Sequence, residues 1–411
     1  VFVPPSPTPH PIAAPRIAVF TDTIADVNGV ARFVEALAVH EPAAIHVISS
    51  ARNIASDHRN VHIARPIVCR AMPGYANLDL VIPSPAAIAR YADALAPNVV
   101  HVSTPGPVGL IGRRFALRRG LPLVGTFHTD LPAYIDRLFN DHLLTRAGER
   151  LLRWFYSSFD LVLARSLASM PSLARAGIES HRIALLSPGI DTHAFHPRHR
   201  GASNAVWQSI PGARADALKV LYVGRVSFEK HLSMLARLWP RVRAECDRRR
   251  HDVQLIITGD GPYLPAMRRE LATDDVCFAG FRHGDELAAL YASSDLFVFP
   301  STTDTLGQAV MEAQSSGLPA IVSDRGGPSQ IVQHERTGLI LCISSDEPWI
   351  NAIVRLIARP SERIAMGQAA RAHLAPMTIR ASIDCFVAIH AELLAAKTQP
   401  GHALARGPAR R

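Results

Sequence analysis

Residues 296–322 read LFVFPSTTDTLGQAVMEAQSSGLPAIV, and this stretch decides the fold. It opens on four apolar residues, Leu296 to Phe299, the length of a buried strand. A small polar loop follows. Then come a helical pattern from Leu306 to Ser316 and a second apolar run from Ala320 to Val322. Strand, crossover helix and strand in that order form the repeating unit of a parallel sheet covered by helices. Toward the N-terminus the alternation continues. Glu286 to Ala292 reads as a helix, and Val276 to Phe278, Val253 to Thr258 and Lys219 to Val223 read as strands.

Residues 199–216 break the pattern with turn chemistry, including Pro211-Gly212. Upstream of them the alternation runs again. Arg16 to Phe20, Ile45 to Ser49, Val99 to Ser103, Leu123 to Thr126, Leu161 to Ala164 and Ile183 to Leu186 are strand candidates, with a helix from Gly29 to Val39. The prediction is an α/β protein of two Rossmann-like doubly wound domains, residues 16–198 and 217–378, joined by a linker at 199–216. A helix over 379–396 is expected to pack back on the first domain, ahead of a basic tail at 397–411. Residues 1–15, broken by prolines and without a basic start, read as a disordered lead-in rather than a signal peptide. Doubly wound sheets bind ligands at the carboxyl ends of their strands. Two of them facing each other put the ligand in the cleft between, where closure excludes water.

Composition agrees. A chain of 411 residues suits two domains, and 48% hydrophobic against 19% charged residues argues against global disorder. No apolar run approaches the ~18–20 residues that span a bilayer. The five cysteines are scattered, with no C-x-x-C and no H-E-x-x-H, so neither a zinc site nor a disulfide framework is indicated and a reducing cytoplasm fits. The net charge of +9 is carried by arginine, since the only lysines are Lys219, Lys230 and Lys397. Arg113, Arg114, Arg118 and Arg119 cluster; they suit a solvated helix face or peripheral contact with an anionic membrane. Nucleic-acid binding has no support beyond charge, because aromatics are 6% and no recognised module occurs.

The loop-to-helix step at Leu306 and Gly307 offers unpaired backbone N–H groups and the positive end of a helix dipole, which suit a pyrophosphate. Asp304 by itself reads as an N-cap, and Glu312 by itself as an exposed helix carboxylate. The whole string says more. It stands with residues 21–35 (TDTIADVNGVARFVE), 125–130 (GTFHTD), 187–191 (SPGID), 224–230 (GRVSFEK), 259–263 (GDGPY) and 323–328 (SDRGGP). In that ordered set, which covers nearly the whole chain, the sequence resembles glycosyltransferase family 4, retaining enzymes of the two-Rossmann-domain GT-B architecture. Within that family it looks most like bacterial GDP-mannose-dependent α-mannosyltransferases.

The resemblance implies roles. Asp304 and Glu312 match the family's E-x7-E pair, except that Asp304 is shorter than Glu by one C–C bond, ~1.5 Å, which leaves the donor sugar open. His231 stands where the family often has Gly or Asn. Arg225 and Lys230 would hold the donor diphosphate, cations that stabilise the charge developing as the sugar–phosphate bond breaks. Gly29 would let backbone approach the diphosphate from the facing domain. His128 would hydrogen-bond the hexose. Gly259, Asp260 and Gly261 would lie beside the nucleotide with Leu306 and Gly307, Phe281 would border the base, and Glu312 would accept from the ribose hydroxyls. Asp130 and Tyr134 would shape the acceptor side. No D-x-D motif occurs, so neither a cofactor nor an essential metal is expected.

The reaction implied is transfer of a hexosyl group, mannosyl from GDP-mannose, onto a hydroxyl of a lipid-linked or soluble glycan. Retention by front-face displacement is expected, the leaving diphosphate taking the acceptor proton. A UDP-sugar-dependent transferase, a sugar-nucleotide epimerase and an inactive nucleotide-sugar-binding protein remain alternatives. A dehydrogenase does not fit, because no G-x-G-x-x-G follows a strand with an acid ~20 residues on.

Overall fold

The computed structural model describes residues 14–24, 29–52, 56–72, 75–128 and 142–398. Its first half contains β1 (Ile17–Phe20), β2 (Ile45–Ser50), β3 (Val61–Ala64), β4 (Pro66–Met72), β5 (Tyr75–Pro83), β6 (Val99–Val102), β7 (Leu123–Phe127), β8 (Leu161–Ala164) and β9 (Ile183–Leu185). All but β4 and β5 form a parallel sheet in the order β3-β2-β1-β6-β7-β8-β9, while β4 and β5 pair as a separate antiparallel hairpin. The second half contains β10 (Leu218–Val223), β11 (Val253–Thr258), β12 (Val276–Gly280), β13 (Leu296–Phe299), β14 (Ala320–Ser323) and β15 (Gly338–Leu341), parallel in the order β12-β11-β10-β13-β14-β15. Both are α/β layers with helices on each face. The helices used below are α1 (Gly29–His40), α2 (Pro107–Arg119), α3 (His142–Tyr156), α4 (Gln308–Ser315) and α5 (Ile379–Thr398).

Several inner strands are buried along their whole length, as Ile17 to Phe20 and Leu296 to Phe299 show, and the others over most of it. Such strands read as continuous apolar runs, which is why they were visible in the sequence. Two of the four edge strands escaped that reading: β3 (VHIA) is mostly half-exposed and carries a histidine, and β15 (GLIL) is a short run opened by glycine with its last two residues half-exposed. In each sheet the strand order reverses at one place, between β1 and β6 and between β10 and β13. The loops leaving those four strands meet the crevice that such a reversal opens.

The chain crosses between domains twice, and the two crossings are tied together. Ile190 bridges Thr378 in parallel fashion; its N–H donates to the Met377 carbonyl at 2.9 Å, and the Ile379 N–H donates to the Ile190 carbonyl at 2.9 Å. Beyond this point α5 lies on the first domain, with Ile383, Phe386 and Leu394 in one cluster with Val19, Phe33 and Leu37. The linker expected at 199–216 is corrected. Trp207 and Ile210 within it are buried in the core of the second domain, so the boundary lies near 187–191. The turn-rich composition marked a surface segment, but its few apolar residues anchor it.

Candidate active site

The second domain supplies most of the charge. Arg225 leaves the end of β10 exposed at the crevice, and the Tyr222 hydroxyl donates to its carbonyl at 2.8 Å. A single turn of 3₁₀ helix, Phe228–Lys230, then turns Lys230 toward β13. Its Nζ lies 2.8 Å from Asp304 Oδ2, and the Ser301 hydroxyl donates to the same oxygen. Asp304 therefore faces the cation and does not cap the helix. Helix α4 starts at Gln308 rather than Leu306, because Gly307 takes the left-handed conformation at φ 89° and caps it without a side chain. Leu306 packs partly on the core.

Backbone contacts brace this loop. The Gly327 N–H donates to the Asp304 carbonyl at 2.6 Å, and the Ser323 hydroxyl to that of Ser301 at 2.6 Å. Gly224 and Val226 donate in the same way to Thr258 and Asp260, at 3.0 and 2.9 Å. A Cβ on Gly259, whose φ is 130°, would lie 2.0 Å from the Gly224 carbonyl oxygen. Gly259, Asp260 and Gly261 thus hold the Arg225 loop through backbone. Phe281 is exposed and stacks on His283 with centroids 6.0 Å apart; it follows β12, two strands away from β10.

The first domain meets this loop directly. A methyl group placed on Gly29 would sit 3.7 Å from the Gln308 Cβ, so the starts of α1 and α4 face each other. The Thr305 hydroxyl donates to the His128 carbonyl at 2.6 Å, and the Ser166 hydroxyl to the Thr305 carbonyl at 2.6 Å. The His128 ring places Nε2 3.2 Å from the Ser103 hydroxyl. Burial, and then the charge of Arg165, hold its pKa well below the usual histidine range. A neutral imidazole is a hydrogen-bonding partner for a sugar hydroxyl, not a resident acid. Asp130 and Tyr134 lie outside the described residues.

Glu312 departs from expectation. It is not an exposed carboxylate but 3% exposed, and both its oxygens are engaged. Arg32 Nη1 donates to Oε1 at 2.7 Å across the domain interface, and the Tyr291 hydroxyl donates to Oε2 at 2.9 Å. Burial raises its pKa, against the opposing pull of Arg32. A ribose would have to share or displace Arg32.

Arg32, Tyr291, Arg165 and Ser166 were missed in the sequence. Arg165 and Ser166 directly follow the recognised strand β8, so the rule that strand ends line the cleft contained the signal. Arg165 is 5% exposed, stacks over the Phe33 ring at 4.5 Å, and its Nη1 has no hydrogen bond among the described residues. Burial lowers its pKa to about 10. It lines an interdomain cavity of about 270 Å³ together with Gly29, Arg32, Asp191, Gln308 and Glu312. Among the described residues no group of three or more His, Cys, Asp or Glu side chains converges on a metal-sized site, and no helix is long and apolar enough to cross a membrane.

Two nucleotide-binding-type domains whose strand ends and helix starts face each other around paired cations and carboxylates define a glycosyltransferase of GT-B architecture. Residues 27–194 match the family described as Glycosyltransferase Family 4, and residues 217–359 that described as Glycosyl transferases group 1. The chain is 34% identical over 316 residues to a GDP-mannose-dependent alpha-mannosyltransferase of Mycolicibacterium smegmatis, covering 76% of this chain and 78% of that protein. It is 29% identical over 279 residues to sulfoquinovosyl transferase SQD2 of Arabidopsis thaliana, covering 67% of this chain and 52% of the relative. Anabaena HepE, solved in complex with UDP and glucose, superposes with a TM-score of 0.72 at 18% identity over 91% of this chain and 99% of that one. The chain belongs to glycosyltransferase family 4.

Proposed function

We propose that the protein transfers a mannosyl group from GDP-mannose to an acceptor hydroxyl on a lipid-linked or soluble glycan, with retention at the anomeric carbon. One observation carries the reading. Lys230 and Asp304 meet at 2.8 Å at the β10–β13 reversal, in front of the facing helix starts at Gly29 and Gln308. A diphosphate between those helix starts receives backbone N–H groups from both domains and the cations Arg225 and Lys230. His128 and Asp304 orient the hexose at C1, and Glu312 takes the ribose hydroxyls when Arg32 yields. The C1–O bond to the diphosphate breaks as the acceptor oxygen bonds C1 on the same face. The acceptor proton passes to the diphosphate oxygen that leaves. The fixed cations neutralise that leaving group, so an essential metal has no role in this scheme.

The mannosyl donor is supported by the mycobacterial relative. A second reading is a UDP-sugar donor: the shorter carboxylate of Asp304 leaves the donor sugar open, and HepE, which shares the fold, was solved with UDP and glucose. A thermal-shift and calorimetric screen of GDP-mannose, UDP-glucose and ADP-glucose separates the two. At a concentration near 100 times Kd a ligand of the native state adds about 2.7 kcal/mol. A response to GDP-mannose supports the first reading, and a response to UDP-glucose alone supports the second. Silence toward all three removes both. Turnover abolished by a chelator and restored by Mg²⁺ would refute the metal-free scheme.

A further inference from the structure

The outer face of the first domain carries a surface that the transfer reaction does not use. On α3, Leu143, Leu144, Leu151 and Trp154 are 76%, 46%, 52% and 51% exposed. At about 100° per residue, Leu143, Ala147, Leu151 and Trp154 recur at helical spacing and make one continuous stripe. The face that packs on the core carries Leu152, Phe155 and Tyr156 instead. Exposed Arg146, Arg150 and Arg153 run along one border of the stripe.

Helix α2 extends the surface. Leu110 and Leu117 are exposed on it beside exposed Arg114 and Arg118. The two helices are joined by Arg113, whose guanidinium stacks on the Trp154 ring at 4.7 Å and donates to the Phe155 carbonyl at 3.1 Å. Arg119 pairs with Asp93, and Glu149 pairs with Arg175. The other six arginines of the surface (113, 114, 118, 146, 150 and 153) form no ion pair among the described residues.

A merely solvated helix face does not display leucines and a tryptophan in one stripe; a contiguous exposed apolar patch marks a contact. Leucine and tryptophan at the level of a band of guanidinium groups match the headgroup boundary of a bilayer. There the apolar side chains enter the acyl region, Trp sits at the headgroups and basic side chains reach the phosphates. We propose that α2 and α3 dock the first domain on an anionic lipid bilayer. The placement is also useful to the proposed reaction. Helix α3 ends four residues before β8 enters the amino edge of the parallel sheet, so it runs back from the carboxyl edge, and its first turn, with Leu143 and Leu144, lies at the end of the sheet that faces the cleft. A lipid-linked acceptor would then be presented where the sugar is released, although docking itself does not depend on that reading.

The test uses the full chain and vesicles of phosphatidylglycerol or phosphatidylcholine. Trp207, Trp239 and Trp349 are buried, so Trp154 is the exposed fluorescent reporter. Flotation should show at least about tenfold stronger partition onto phosphatidylglycerol, weakened on raising salt to about 0.5 M. Trp154 emission should shift to the blue and be quenched by bromine on the acyl chains. Leu151→Glu, and separately the triple change Arg114→Glu, Arg118→Glu, Arg150→Glu, should each weaken partition at least about tenfold. Unchanged melting would show that each variant is folded. Trp154→Phe should keep the partition and lose the signal. Three results would overturn the proposal. One is the absence of partition onto phosphatidylglycerol at low salt. Another is partition that these substitutions leave intact, which would place it on other basic segments. The third is concentration-dependent self-association in lipid-free solution that Leu151→Glu abolishes, without lipid binding, which would assign the face to a second copy of the chain.

Discussion

Replacing Lys230 by methionine keeps an unbranched apolar stem, leaves the side chain one atom shorter, and removes its charge. The ammonium lies 2.8 Å from Asp304, with the two side chains 17% and 25% exposed. That places the pair between a surface ion pair, worth about 0–1 kcal/mol, and a buried one whose disruption costs about 3–5 kcal/mol. Asp304 keeps the Ser301 hydroxyl, so a stability loss of about 1–2 kcal/mol is expected, or a melting temperature lower by about 2–8 °C. The catalytic loss should be larger. Removing one preorganised donor from a site of developing charge costs about 2.7–4 kcal/mol, which is about 100- to 1000-fold in rate. In the proposed reaction the charge grows on the leaving diphosphate in the transition state, so the loss should fall on kcat more than on KM. The assay is release of nucleoside diphosphate under steady state, beside thermal unfolding and Lys230→Arg, which restores the charge and should recover part of the rate. A folded Lys230→Met protein turning over within about threefold of the wild type would refute the assignment, because the whole effect would lie below one charge-assisted hydrogen bond.

Three further outcomes are expected. Arg165→Met exchanges a buried guanidinium that has no ion pair among the described residues for an apolar side chain, so the free protein should melt at the same or a higher temperature while stabilisation by nucleoside diphosphate shrinks; lower melting with unchanged ligand stabilisation would reduce Arg165 to packing on Phe33. Arg32→Ala should destabilise by about 1–3 kcal/mol, less than for a fully buried pair because Arg32 is 42% exposed. Glu312 has a folded pKa raised above 4.5, so its burial penalty is absent below 4.5, where both states are protonated, and sets in as pH rises through that value. The Arg32→Ala deficit in denaturant titrations should therefore shrink at acid pH and grow toward neutrality. His390 donates Nδ1–H to the Phe386 carbonyl at 2.7 Å, so its Nε2 accepts from His101 at 3.0 Å and both rings are neutral. Burial lowers the His390 pKa to about 4 from 6.5, so the unfolded chain takes up a proton that the folded one refuses between those values. About 3 kcal/mol of stability should be lost as pH falls from 6.5 to 4, and His390→Leu should flatten that slope.

What could be read in the sequence follows from what burial does to composition. The strands flanking each reversal, β1, β6, β10 and β13, are mostly buried and appeared as largely apolar runs, whereas Arg225, Asp304 and His128 were singled out by the family motifs in which they stand. Edge strand β3, mostly half-exposed and interrupted by His62, gave no such signal, and the short glycine-led run of β15 was not read as a strand. Contacts between domains were harder still. Arg32 and Glu312 are 280 residues apart, and no local pattern predicts that a helix arginine in one domain reaches a carboxylate in the other. Arginine is also the common cation of this chain, so Arg32 and Arg165 did not stand out. Lys230 did, because lysine is scarce.

The adjacency of Asp304 and Thr305 joins two events that could have been separate. Asp304 turns its carboxylate to Lys230 within the second domain, while the next residue donates to His128 and accepts from Ser166, both in the first. A shift of the first domain must pull on Thr305, and Thr305 cannot move without moving the backbone of Asp304. That backbone is itself fixed by Gly327 at 2.6 Å, so the strain falls on the side-chain contact with Lys230. In the proposed reaction, the placement of the Lys230 cation and the approach of the two domains would therefore be set by one loop. Thr305→Val, which removes the hydroxyl at nearly constant shape, should loosen both. It should lower kcat while leaving the fold of each domain intact. If kcat held while small-angle scattering showed a wider interdomain angle, closure and charge placement would be uncoupled.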